Sequence, residues 1–269
     1  MKSMMKRNTF REIKKSFGRY FAILAIVALG VAFFSGLKIT QSVMVHSADV
    51  YLKDLQFYDY RLVSTLGFTE ENVEALAEKE DVRAAEGAIS AEVLYKDAGE
   101  NERVFKMHSI TEKVNKLKLV AGEMPQSADE CVVDSALFSE DAIGSKLVLS
   151  ENNTTDDLDK FAYKEYTITG LVQSPCYIQF ERGNTSIGNG RISGFAYILK
   201  DGFAVDYDTE IYIKFDEDYD IYSDEYDSYM DAKEADWEAY TKEQADIRYE
   251  KIVKDAQDEL DEKKEELEE

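Results

Sequence analysis

The sequence predicts an α+β protein with one membrane-spanning helix near its N-terminus, an exported strand-rich domain and an acidic helical arm. Three observations predict it. Residues 20–37, YFAILAIVALGVAFFSGL, carry no charge. Residues 57–222 break into short β-branched and aromatic runs between turn residues, with one early helical pattern. Residues 223–269 contain neither Gly nor Pro.

At ~1.5 Å per residue the uncharged run reaches roughly 27 Å, close to the hydrocarbon thickness of a bilayer. Ten of its eighteen residues are Leu, Ile, Val or Phe, which favours insertion by roughly 3–6 kcal/mol. Residues 1–19 hold seven basic residues against one acidic residue, Glu12, so this segment is expected to stay in the cytoplasm. A cleaved signal peptide is the competing reading, but the run exceeds an h-region in length and FFSGLKITQ offers no A-x-A-like exit. Residues 38–269 hold no second run of spanning length, which places them together on the far side.

Within the N-terminal segment, Thr9 to Glu12 has the form of a capping box, and Phe10, Ile13, Phe17 and Tyr20 recur at helical spacing. The pattern predicts a short amphipathic helix on the inner leaflet; a plain basic flank is the alternative. Ala28, Ala32 and Gly36 form a small-residue stripe. Such a stripe either admits a second helix backbone or reflects how common Ala and Gly are in spanning helices. Residues 38–56 lack Gly and Pro, and Val43, Val50, Leu52 and Leu55 predict an extracytoplasmic continuation of the helix. His46 on it reads as a solvated side chain.

In the domain at 57–222, YDYRLVST reads as a strand, and Thr69-Glu70-Glu71 caps a helix carrying Val73, Leu76 and Ala77. AISAEVLYK and ERVFKMHSI read as a hairpin about Asp97-Ala98-Gly99-Glu100; ECVVD, SKLVLS, EYTITGLV, CYIQF, GFAYILK and EIYIKF read as further strands. Beyond them, at 223–269, Ala245, Tyr249, Ile252, Ala256, Leu260 and Leu267 make a weak apolar stripe suited to a helical hairpin or a coiled-coil arm.

Charge excludes one class of function. The cytoplasmic segment takes seven of the 32 basic residues and one of the 55 acidic ones, leaving 25 against 54, a net of about −29, beyond residue 19. Such a surface repels nucleic acid. Motifs exclude others: there is no Walker loop, dinucleotide fingerprint, nucleophile elbow, zincin helix or C-x-x-C. With His46 and His108 as the only histidines, nucleophile–base pairs and zinc sites lack members. No catalytic, cofactor-binding or metal residue is assigned, and the chain is expected not to be an enzyme. Asp216, Asp218 and Asp220 open like a calcium loop, but Ile221 stands where Gly is needed and Asp227 where a bidentate Glu is needed. They read as a solvated connector. Cys131 and Cys176 form either one disulfide or two separate thiols.

A family likeness attaches to particular stretches. FREIKKSFGRYFAI running into one spanning helix and then an exported mixed domain resembles the start of an FtsX/MacB-type permease subunit of an ABC transporter. LKLVAGEMPQSADECVVDSALF, IGSKLVL and YTITGLV are similar to strand and turn patterns of that family's periplasmic core. Gly122, Pro125, Glu130, Val132, Gly144 and Gly170 fall on the pattern, whereas Glu123 departs from its frequent Arg. These positions shape turns and strands; none is catalytic. The likeness covers roughly residues 8 to 215.

The resemblance implies a non-enzymatic membrane subunit whose partners are a cytoplasmic ABC ATPase, other transmembrane helices of the permease and the lipid bilayer. It implies no nucleic acid and no cofactor. Such permeases carry four or ten spanning helices, so a single one here is expected of an N-terminal part. The alternative is a single-pass surface receptor or adhesion protein with a ligand-binding ectodomain and a coiled-coil spacer.

Overall fold

In the computed structural model, residues 2–97, 99 and 101–268 are described, and side chains at 2, 3, 6, 8, 13, 255, 259, 262 and 265–268 are outside the description. The side chains of Ile13 and Leu267, and residues Ala98 and Glu100 of the expected hairpin turn, therefore lie outside the described residues. The chain divides into two units, 1–50 and 51–269.

The first unit is helical. Helix α1 (Lys2–Lys15) is followed by α2 (Phe17–Asp54), which runs unbroken through the apolar stretch and ends in the second unit. The expected Thr9 to Glu12 capping box does not form. Thr9 sits inside α1, and its hydroxyl donates to the Met5 carbonyl at 2.9 Å. A helix already under way offers Thr the carbonyl four residues back, and the cap loses. Along α2, the large apolar side chains from Phe21 to Leu37 are exposed around the circumference. Length and hydropathy suffice to cross a membrane, and a helix apolar on every side has lipid as its natural solvent.

The second unit holds two sheets. In sheet A, β10 (Asp208–Phe215) lies between β1 (Tyr60–Phe68) and β2 (Val82–Ala88), all antiparallel. Between β1 and β2 comes α3 (Glu70–Ala77), at whose start the Asn72 side-chain oxygen accepts from the Thr69 amide and hydroxyl. One face of sheet A packs Val82, Ala85, Ile211, Ile213 and Phe215 against Leu76 of α3 and Trp237 of α5 (Asp224–Glu268). α5 is a single helix of 45 residues, so no hairpin turn interrupts it.

Sheet B contains β3 (Ser90–Lys96), β4 (Glu102–Ser109), β5 (Lys118–Gly122), β6 (Glu130–Asp134), β7 (Lys146–Leu149), β8 (Glu165–Gln173) and β9 (Ile192–Ile198); a short helix, α4 (Thr155–Leu158), precedes β8. The order is β5-β8-β6-β9-β4-β3-β7, and β7 also pairs with β8. That second pairing closes six strands into a ring, which removes their open edges. Alternation along the strands then fills the interior: Cys131 and Val133 point in with Phe105, Ile168 and Ile198, while Val132 points out to Val172, Phe195 and Tyr197.

Gly122 and Gly170 face each other across β5 and β8. A Cβ on Gly122, at φ +77°, would lie 2.2 Å from the Thr169 carbonyl, and one on Gly170 would crowd the Ala121 carbonyl at 2.8 Å. Only glycine permits this approach. One expected strand is absent: CYIQF is a 3₁₀ turn over Pro175–Tyr177 followed by a loop. Pro175 lacks a ladder donor, and the Ser174 hydroxyl caps the turn by accepting from the Cys176 amide.

Candidate functional site

The end of α2 is where the second unit spends its buried polar groups. A helix that stops must find partners for its last carbonyls and for the chain that leaves it. Here Gln56 adopts a left-handed φ of 51°, its side-chain amide donates to the Lys53 carbonyl at 2.8 Å, and the Phe57 amide donates to the Leu52 carbonyl at 2.9 Å. A loop following β4 grips the departing chain. The amides of Asn115 and Lys116 donate to the carbonyls of Gln56 and Leu55 at 2.9 and 2.8 Å, and the Asn115 side-chain oxygen accepts from the Tyr58 amide at 3.1 Å. That loop is itself fastened to sheet A, because the Glu86 carboxylate accepts from the amides of Glu112, Lys113 and Val114.

Asp59 completes the clamp. Its buried carboxylate accepts from Lys214 Nζ at 2.9 Å, from the Phe215 amide at 2.9 Å and from the Tyr226 hydroxyl of α5 at 3.1 Å. Lys53, in the last turn of α2, donates to Asp220 at 2.6 Å. The five residues after the helix are thus tied to a loop, to sheet A and to α5.

From this clamp a polar network runs to sheet B. Tyr58 packs tilted against Tyr212 with ring centroids 5.2 Å apart, and the Tyr212 hydroxyl donates to Glu210. Glu210, 2% exposed, also accepts from Arg61 at 2.9 Å and from the hydroxyl of Ser90, the first residue of β3. Burial opposes its ionisation, but the hydroxyls of Ser90 and Tyr212 together with the Arg61 guanidinium outweigh burial and hold the carboxyl below its ordinary value. On β4, His108 is stacked on Tyr197 and shares a 2.6 Å hydrogen bond with the Tyr177 hydroxyl. Burial, helped by the nearby Lys106 charge, depresses its pKa to about 3, so it stands neutral. Tyr197 in turn pairs with the Ser174 hydroxyl at 2.8 Å.

Of the residues singled out from sequence, His108 joins this network and His46 is exposed on α2. Cys131 and Cys176 are both free. Burial pushes the thiol of Cys131 far up and that of Cys176 up to about 11, which leaves neither as an activated nucleophile. The three aspartates of the calcium-like run do not converge: Asp216 pairs with Arg83 and Asp220 with Lys53. Among the described residues no group of three His, Cys, Asp or Glu is spaced to hold a metal. Sequence reasoning missed Asp59, Arg61, Glu210 and Lys214. Glu210, Tyr212 and Lys214 alternate with Ile211, Ile213 and Phe215, which reads as a solvated strand face. Only the packing shows that face to be covered.

No family model and no curated protein matches the sequence. Solved structures that resemble part of the chain include two transporter domains. The extracellular domain of the noncanonic ABC-type transporter YknZ from Gram-positive bacteria is 11% identical at a TM-score of 0.37, over 57% of this chain and 76% of that one. The periplasmic region of MacB from Actinobacillus actinomycetemcomitans is 13% identical at a TM-score of 0.36, over 60% of this chain and 69% of that one.

Proposed function

We propose that the chain is a membrane-spanning component of an FtsX/MacB-like ABC transporter permease, which couples ATP hydrolysis by a separate cytoplasmic ATPase to movement of its own exported domain. The observation that carries this reading is the clamp at residues 53–59. A helix that merely anchors a domain needs no more than a flexible tether. A helix that delivers displacement needs a connection that does not give, and here the connecting backbone and the Asp59 carboxylate are held from three directions. Seven hydrogen bonds at about 1 kcal/mol each or more, three of them accepted by the Asp59 carboxylate, make slack at this point costly.

The sequence supplies the rest of the support. Seven basic residues before α2 favour a cytoplasmic N-terminus, and the likeness of residues 8 to 215 to the permease pattern lies in that order along the chain. Ala28, Ala32 and Gly36 offer a face for further spanning helices, and the distal part of α5 offers a coiled-coil arm. In this reading chemistry belongs to the ATPase, and the chain carries no catalytic group of its own.

The test is to insert a four-residue Gly/Ser segment between Gln56 and Phe57 and reconstitute the protein in nanodiscs with the ATPase that co-purifies. Assembly should persist while the response of the ATPase rate to the exported domain disappears. Failure of any ATPase to co-purify would favour the receptor or adhesion alternative, for which the insertion should be silent.

A further inference from the structure

We infer that the groove between β1 and α5 is a docking site for an extended peptide strand bearing an apolar side chain and a carboxylate. The inference goes beyond the transporter reading and does not depend on it, since it concerns the second unit alone.

Three observations converge there. The first is an open edge: β1 pairs with β10 on one side only. Its register also jumps, from Val63 opposite Glu210 to Phe68 opposite Asp208, so residues 64–67 stand away from β10. Proteins usually guard such an edge with Lys, Pro or brevity. β1 has nine residues and no Lys or Pro, its single charge, Arg61, is engaged by Glu210, and Val63 and Leu66 are exposed.

The second is a cavity of about 280 Å³ beside this strand, walled by Leu62 and Leu66 of β1, Leu76 of α3 and Tyr240 of α5. That is near the small end of ligand cavities, about 300 Å³, and it suits one or two apolar side chains better than a bulky cofactor. The third is Arg248 of α5, which lines the same cavity. Its Nε is buried and has no hydrogen-bond partner among the described residues. The positive charge of the guanidinium at the cavity wall favours a carboxylate entering the groove, which the exposed part of the guanidinium meets with a charge-assisted bond.

A peptide added to an edge strand meets all three demands, because its backbone pairs with β1, its alternate side chains reach the cavity and its carboxylate reaches Arg248. A fatty acid would answer the second and third but leave the edge amides and carbonyls bare.

The experiment uses the full chain in phosphatidylcholine nanodiscs, with empty nanodiscs as blank. The probe is a fluorescein-labelled hexapeptide of alternating threonine and leucine ending in a free carboxylate, read by fluorescence anisotropy. Saturable binding is expected, weakened about tenfold by a C-terminal amide, as loss of one charged hydrogen bond implies. Arg248→Gln should weaken the free acid to the level of the amide and leave the amide unchanged. Two further peptides carry N-methyl groups on alternate backbone nitrogens, one in each register, and at least one of them should not bind. Leu66→Lys, at an exposed position where the fold should survive, should block both parent peptides, with circular dichroism confirming folding. Absence of saturable binding, indifference to Arg248→Gln, or equal binding by both N-methylated peptides would overturn the inference. Displacement of the parent peptide by oleate in that last case would assign the groove to anionic amphiphiles.

Discussion

The ring of sheet B and the clamp beside sheet A both bury their side chains, by different means. Inside the ring, Val93, Phe105, Met107, Val133 and Ile198 are fully shielded and belong to one apolar cluster. At the clamp and the network beyond it, the side chains of Asp59, Lys214, Glu210 and His108 are also largely withdrawn from water, and each is held by directed hydrogen bonds. Apolar packing depends on volume and tolerates small changes of shape. A buried charge depends on every partner it has, because the alternative is an unsolvated ion. The ring therefore behaves as a scaffold, and the clamp as the element whose geometry is most narrowly specified.

The largest effect should come from Asp59→Ala, which strands Lys214 and frees the Phe215 amide and the Tyr226 hydroxyl. Removing one partner of a buried pair costs about 3–5 kcal/mol, so denaturant unfolding of the full chain in detergent should show a marked loss. Adding Lys214→Met to Asp59→Leu should restore much of it. A loss as small as that of a surface substitution would remove the contrast between the two regions.

Acid should divide them next. His108 binds a proton near 6.5 when unfolded but only at about 3 when folded, so the unfolded state takes up the proton first. Its contribution is fully present above pH 6.5 and is lost as pH falls towards 3, at about 1.4 kcal/mol per pH unit inside that window. Glu210, held below the ordinary glutamate value, adds its own loss only below that value. His108→Gln should therefore flatten melting temperature against pH between 6.5 and 4.5 and leave the steeper fall below it. An unchanged profile would sink the assignment.

The smallest effect belongs to the ring. Ile198→Val, at a fully buried position on β9, should cost about 0.5–1.5 kcal/mol and the same amount at pH 5 as at pH 7. A pH-dependent cost there would mean that the two regions unfold as one coupled network.

Much of the architecture is legible in local pattern. The uncharged run at 20–37, the helix capped at Thr69 and the alternating runs that become β3, β4, β6, β7, β8, β9 and β10 all declare themselves within ten or so residues. Three- to four-residue and two-residue periodicities are properties of short segments. β2, VRAAEGA, was harder to see because small residues blur alternation, and CYIQF misled because a Pro and a capping Ser outweigh aromatic β-propensity.

The sequence by itself determined the long apolar helix, the acid surplus and the mixed class. Those follow from residue chemistry and short-range period. The tertiary structure alone decided that six strands close into a ring, that Trp237 of an acidic helix completes the core of sheet A, and that Asp59, Glu210 and Lys214 are buried partners and not solvated charges. Each of these depends on which of a residue's two faces is covered. Burial is a property of what packs against a segment from far along the chain, and a charged residue on an alternating strand looks the same in sequence whether water or a tyrosine lies above it.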